Sequence, residues 1–346
     1  MNRVKIVAEI GCNHNGSFIK AKEMISAAKE CGADAVKFQT FNSSKLVTNN
    51  APKAEYQIAN TNDNGSQLSM LKKLELSQDE YIELKKYAES IGIEMFSTAF
   101  DMDSIDFLYK YGQNIWKIPS GEITNLPYLR RISELKCKNK EIILSTGMST
   151  IDEIMMATNI LEKSENTKFT ILHCNTDYPT KDEDVNLLAL IDLKEKFSNW
   201  NIGLSDHSVG TLAATISIGL GAKFVEKHFT LNKDDIGPDH AASITPDELK
   251  KLCYEIRRAE IMLGTKEKHV TKSEYKNISV VRKSIVANRN IKKGEKFTED
   301  NLTGKRPGTG ISMIYWYELI GKYAEKDFEK DEFITHDGFT WENGNE

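Results

Sequence analysis

The sequence predicts an α/β chain in which a (β/α)8 barrel is followed by a small C-terminal module. Three observations carry this prediction. Eight short β-branched or apolar runs recur between residues 4 and 228, segments with helical spacing separate most of them, and each run ends in side chains able to bind or react.

In chain order the runs are VKIVAE (4–9), AVKFQT (35–40), IEMFST (93–98), IWKIPS (115–120), EIILST (141–146), FTILHC (169–174), NIGLSD (201–206) and KFVEKH (223–228). Between them lie segments such as IKAKEMISAAKECGA and SQDEYIELKKYAESIG, often closed by a Gly or Asn stop signal. The polar ends are Glu9, Lys37 with Gln39, Ser97 with Thr98, Lys117 with Ser120, Ser145 with Thr146, His173, Asp206 with His207, and Glu226 with His228. In a parallel barrel all eight ends converge on one face, where active sites form.

Two departures from a minimal barrel stand out. Residues 41–76 are too long for an ordinary connection, and an insertion there would overhang the catalytic mouth. Past residue 284 the helical rhythm stops. Two stretches of this tail, ANRNIKKGEKFTEDNL (287–302) and AEKDFEKDEFITHDGF (324–339), share one pattern of apolar, Lys, Glu, Thr and Asp positions. They read either as two copies of one small unit or as chance similarity in a Lys/Glu-rich stretch. The expected division is a barrel over 1–270, a linker over 271–284 and the small module over 285–346.

The chain has 346 residues, 40% hydrophobic and 28% charged, with a net charge of −5. Neither nucleic acid nor a membrane surface is expected as a partner. The N-terminal run is too short and too quickly charged for a signal peptide, and no segment approaches eighteen uninterrupted apolar residues, so a cytoplasmic protein is expected. Five scattered cysteines without a Cys-x-x-Cys pair argue against a disulfide framework or structural zinc.

Three groups of residues carry chemistry. His207 and His228 sit at the ends of neighbouring runs, where paired imidazoles suit a divalent metal completed by water or substrate; singly, each is also a plausible structural histidine. Asp206 and Glu226 are candidates to orient those rings, or to cap helices. Lys37 and Lys117 lie inside strands, where lysine is poorly tolerated unless paired or facing the mouth. With the hydroxyls of Ser97, Thr98, Ser120, Ser145, Thr146 and Ser205 they suit a small phosphorylated anion. Glu9 and Glu122 complete the mouth, for acid–base work or for structural hydrogen bonds. No dinucleotide fingerprint, Walker loop, Gly-x-Ser-x-Gly elbow or His-Glu-x-x-His is present.

The ordered motifs AEIGCNHNGS, AVKFQTF, FSTAFD, WKIPSGEITNLPYL, ILSTGM, LHCNTDYP, IGLSDHS, EKHFTL, GPDHAAS and KRPGTG resemble those of the bacterial sialic acid synthases over nearly the whole chain. The resemblance implies condensation of phosphoenolpyruvate with N-acetylmannosamine, giving N-acetylneuraminate and phosphate. It implies a divalent cation, manganese foremost and magnesium or cobalt as alternatives, on His207 and His228. It also implies an antifreeze-like (SAF-type) C-terminal domain that reaches the partner's site in a domain-swapped homodimer.

Carried over by motif, Lys37, Thr98, Lys117, Ser120, Ser145 and Ser205 match phosphoenolpyruvate contacts. Gln39, Tyr178, Asp239 and Arg306 match sugar contacts, and Glu9 and Glu122 match acidic residues near the reacting centre. Asn175-Thr176 inverts the order found in some members, and Ala99 stands where proline is more usual, which would loosen the loop after the third strand. A related synthase making a legionaminate- or pseudaminate-type acid from a 6-deoxy diacetamido hexose would share nearly all these residues. A non-catalytic carbohydrate-binding protein is the alternative of another class.

Overall fold

Eight strands surround a common axis in the computed structural model, which describes residues 3–61 and 65–339. They are β1 (Lys5–Gly11), β2 (Ala35–Thr40), β3 (Glu94–Ala99), β4 (Ile115–Ile118), β5 (Glu141–Ser145), β6 (Lys168–Cys174), β7 (Asn201–Asp206) and β8 (Phe224–His228). Parallel ladders join them in the order β3-β2-β1-β8-β7-β6-β5-β4, and β3 lies beside β4 to complete the ring. Each matches a run read from the sequence. β4 stops two residues early because Pro119 has no N–H to continue the ladder.

Helices follow the strands: α1 (Phe18–Cys31), then α2 (Ser43–Leu46), α3 (Glu55–Thr61) and α4 (Gln67–Lys72) within the predicted insertion, and α5 (Gln78–Ser90). The series continues with α6 (Met102–Lys110), α7 (Leu126–Glu134), α8 (Ile151–Leu161), α9 (Ala189–Lys196), α10 (Leu212–Gly219) and α11 (Pro246–Met262). Their starts are written in the sequence. Ser77 with Glu80, Thr150 with Glu153 and Thr245 with Glu248 form capping boxes, which satisfy otherwise orphaned amides.

Alternation along each strand sorts side chains into two regions. Outward residues of β1, Ile6, Ala8 and Ile10, are buried beneath the helices. Inward residues build layers. One is apolar: Val7, Ala35, Phe96, Ile115, Ile143, Leu172 and Phe224. Gly203 completes it, since a Cβ there would lie 2.5 Å from the Phe224 carbonyl oxygen. Two residues further along most strands, the inward positions become polar, and these form the floor of the mouth.

The chain divides into two compact units, parting between Gly264 and Thr265. That is ahead of the expected boundary at 270, and the expected linker 271–284 falls in the second unit, where it carries short helices at Lys272–Tyr275 and Ile278–Val281. No helix among the described residues is long and apolar enough to cross a membrane.

The second unit pairs β9 (Ser284–Ala287) with β10 (Leu302–Lys305) antiparallel. The sequence echo is a structural repeat. Ile291 and Phe328 exchange backbone hydrogen bonds (2.9 and 2.8 Å), while Gly294 N donates to Ala324 O and its counterpart Asp331 N donates to Ala287 O. Both turn residues have positive φ, 83° and 71°. The counterparts Phe297 and Ile334, and Leu302 and Phe339, share one buried core.

Candidate active site

A cavity of about 370 Å³ opens at the C-terminal ends of the strands. Its floor is a buried charge cluster. Lys117 Nζ lies 2.9 Å from Glu226 Oε1. Lys37 Nζ lies 3.3 Å from Glu226 Oε2 and 3.0 Å from Glu9 Oε2. Ser205 Oγ donates to Glu226 Oε1 at 2.9 Å, Lys37 Nζ donates to Thr98 Oγ1 at 3.2 Å, and Gln39 Nε2 donates to Glu9 Oε1 at 3.2 Å.

Burial and charge compete in this cluster. For Glu226, burial opposes ionisation, but the ammonium groups of Lys117 and Lys37 outweigh it and hold the carboxyl well below its usual range. Glu9 has less support: burial pushes it up to about 7 against the pull of Lys37. Burial lowers Lys117, whereas for Lys37 the two carboxylates overcome burial and raise it. The floor therefore holds two ammonium groups against one firmly ionised carboxylate. That imbalance favours an anion.

Hydroxyls complete the cradle. Ser145 Oγ is buried without a hydrogen-bond partner among the described residues and lines the cavity. Ser120 Oγ accepts from Gly147 N at 2.9 Å and lies 3.1 Å from Cys174 Sγ. A side chain at Gly147 would meet that hydroxyl at 2.9 Å and Thr176 at 2.7 Å, so glycine keeps this corner open. Glu122 stands at the rim on a short helical turn and accepts from Asn125 Nδ2 at 2.6 Å.

Above this floor, the rings of His207 and His228 face each other with centroids 5.2 Å apart, and Tyr178 lies 4.2 Å from the first and 5.5 Å from the second. His207 Nδ1 donates to the Asn175 carbonyl oxygen at 2.5 Å, which fixes the tautomer and leaves the lone pair on Nε2, 3.4 Å from Ser205 Oγ. His228 Nδ1 is buried without a hydrogen bond among the described residues, 3.6 Å from Asp239 Oδ2. Burial lowers both rings, His207 to about 4, so both are neutral and able to ligate. The pair fits a divalent cation. Among the described residues no group of three or more His, Cys, Asp or Glu is arranged to hold a metal ion. Burial raises Asp239 to about 6, with Cys12 Sγ 3.4 Å from its Oδ2.

Several expectations are corrected. Neither Asp206 nor Glu226 orients an imidazole. Ser205, Asp206 and His207 are consecutive, so strand alternation turns Asp206 outward, where it pairs with Lys227 at 2.8 Å. Glu226 does point inward, one layer below His228, and binds lysines. Ser97 and Thr146 also leave the cradle: Ser97 Oγ pairs with Thr40 Oγ1, and Thr146 Oγ1 donates to Leu172 O. His173 bonds the Val185 carbonyl, and the Asn175 side chain donates to Asp184 O. Arg306 belongs to the second unit, where its Nε donates to Val281 O at 2.9 Å. The sequence reading missed the cavity's apolar roof, although the length of the insertion announced it.

A parallel barrel whose mouth joins an anion cradle to a pair of neutral imidazoles defines the class: an enzyme that brings a phosphorylated anion to a second small molecule. Residues 24–268 match the NeuB family and 282–340 the SAF domain. The chain belongs to the NeuB family, nonulosonate synthases that condense phosphoenolpyruvate with a sugar. It is 47% identical to an N,N'-diacetyllegionaminic acid synthase of Campylobacter jejuni, covering 96% of this chain and 99% of that one. It is 45% identical to the N,N'-diacetyllegionaminic acid synthase of Legionella pneumophila, covering 91% and 89%. A solved N-acetylneuraminic acid (sialic acid) synthetase from Leptospira borgpetersenii is 32% identical with a TM-score of 0.70, covering 80% of this chain and 90% of that one.

Proposed function

We propose that this enzyme condenses phosphoenolpyruvate with an open-chain 6-deoxy diacetamido hexose, forming a legionaminate-type acid and inorganic phosphate. This reverses the preference for N-acetylmannosamine drawn from the sequence motifs. The support is the 47% and 45% identity to two diacetyllegionaminic acid synthases, against 32% to the solved sialic acid synthetase. The observation that carries the chemistry is the joining, in one cavity, of Lys37, Lys117 and the unpartnered Ser145 hydroxyl with the facing rings of His207 and His228.

In this reading Lys37 and Lys117, with the hydroxyls of Thr98, Ser120, Ser145 and Ser205, hold phosphate and carboxylate of phosphoenolpyruvate so that its C3 faces the sugar aldehyde. His207 and His228 would hold a divalent cation such as manganese, which when bound supplies Lewis-acid polarisation of a carbonyl. The C2=C3 π electrons form a bond to the aldehyde carbon, the aldehyde C=O π bond breaks and its oxygen takes up a proton from solvent, and cationic character develops at C2. Glu226, and Glu9 in its ionised form, would stabilise it. Water adds at C2, its proton passing to a neighbouring carboxylate, and the C–O bond to phosphate breaks.

Gln39, Tyr178 and Asp239 would bind the sugar, Glu122 would contact it from the rim, and Arg306 of a partner copy would contact an N-acetyl group in a domain-swapped dimer. The test offers phosphoenolpyruvate with a mixture of N-acetylmannosamine and the diacetamido hexose, and identifies the product by mass spectrometry. A diacetamido nine-carbon acid is expected; N-acetylneuraminate as the dominant product overturns the substrate assignment.

A further inference from the structure

The cavity is two-sided. Its floor is charged, but the insertion between β2 and β3 lays an apolar roof over it. Leu46 at the end of α2 and Val47 beyond it line the cavity, as does one stripe of α4 and its extension: Gln67, Met70, Leu71 and Leu74. That spacing, i, i+3, i+4 and i+7, puts the four on one helical face. Met70 and Leu74 are buried against Cys12, with Phe41 and Leu71 packed on them. Phe41 meets Phe100 edge-on at 6.3 Å.

The roof is anchored rather than loose. Asn42 N donates to Asp101 Oδ2 at 2.8 Å, Gln67 N to Ala51 O at 3.1 Å, and Asn60 Nδ2 to Pro238 O at 2.7 Å, beside Asp239. Leu46, Val47 and Leu71 offer no polar atom from their side chains. A sugar hydroxyl turned toward them loses water without replacement, whereas a methyl group loses nothing. Gln67 differs: its side-chain amide has no hydrogen bond among the described residues. An amide beside leucines complements an acetamido group, which is itself an amide carrying a methyl.

We propose that this roof, through Leu46, Leu71 and Gln67, selects the sugar by receiving the methyl-bearing substituents of a deoxy, doubly acetamidated hexose and disfavouring a hydroxyl at the same place. The inference rests on the substrate class proposed above and adds the residues that enforce it. An apolar wall discriminates against an added hydroxyl by at most about a hundredfold, and a hydrogen bond to the acetamido group adds to that.

The test measures kcat/KM of the full-length enzyme for the diacetamido deoxyhexose and for N-acetylmannosamine, together with KM for phosphoenolpyruvate, in wild type, Leu71→Asn, Leu71→Met and Gln67→Leu. Leu71→Asn should lower the ratio of the two kcat/KM values about tenfold while shifting the phosphoenolpyruvate KM less than twofold. Leu71→Met, which keeps volume and polarity, should restore it, and Gln67→Leu should weaken the diacetamido sugar alone. A wild-type preference for N-acetylmannosamine would overturn the substrate reading itself. A wild-type preference for the deoxy sugar that both Leu71→Asn and Gln67→Leu leave unmoved would overturn the roof alone.

Discussion

Lys117 and Glu226, 109 positions apart in sequence, meet inside the barrel at 2.9 Å with both side chains almost wholly buried. Removing Glu226 strips Lys117 of its ion-pair partner, and removing Lys117 leaves Glu226 with Lys37 alone at 3.3 Å, at a cost of up to about 3–5 kcal/mol. Lys117→Met should therefore lower stability sharply and raise KM for phosphoenolpyruvate at least tenfold. The double variant Lys117→Met/Glu226→Leu should recover much of the stability, since Lys37 keeps Glu9 at 3.0 Å, but none of the activity. Denaturant melts and steady-state kinetics on the three proteins check this.

Glu9 gives a pH signature. Its carboxyl is raised to about 7 when folded, from 4.5. A raised acid is protonated in the folded state where the unfolded chain has already released its proton, so this group removes stability as pH rises from about 4.5 to 7. Glu9→Gln escapes that loss. Its stability advantage over wild type should grow between pH 5 and 8, by on the order of 2 kcal/mol, while turnover falls. Thermal melts across that range would expose a flat difference if the burial argument is wrong.

The histidines and their neighbour separate two kinds of residue. His207→Ala and His228→Ala should each lose bound divalent metal and at least a hundredfold in kcat. Asp206→Asn should keep metal content and kcat within about threefold, yet lower the melting temperature, because Asp206 faces Lys227 and not the mouth. Metal analysis by mass spectrometry beside kinetics distinguishes them.

Lys140 supplies a control remote from the chemistry. Its buried Nζ donates to the carbonyls of Ile132, Ser133 and Leu135 at the end of α7, and to Ser164 Oγ. Lys140→Met strips those acceptors of their donor and should cost about 2–4 kcal/mol. Activity per folded molecule should not change, which an active-site titration against phosphoenolpyruvate would reveal.

Much of the site was legible because strand alternation is local. Once AVKFQT is a strand, Lys37 and Gln39 share a face, and the same holds for Ser205 and His207 or for Glu226 and His228. That rule, applied strictly, also turns Asp206 away from the mouth; grouping it with His207 by adjacency overrode the alternation. The hydroxyl ring lost Ser97 and Thr146 because both bond within the barrel wall.

The sequence alone determined the eight strands, their order and most of the inward side chains at the mouth, since each follows from backbone periodicity over a few residues, and it left the echo in the tail as either a repeat or chance. Only the tertiary structure decided that Glu226 grips two lysines, that the Asn175 carbonyl sets the His207 ring, and that α2 and α4 roof the cavity with leucines. Those contacts join distant segments. Their geometry comes from the stagger between strands and the path of an inserted loop, which no local pattern encodes.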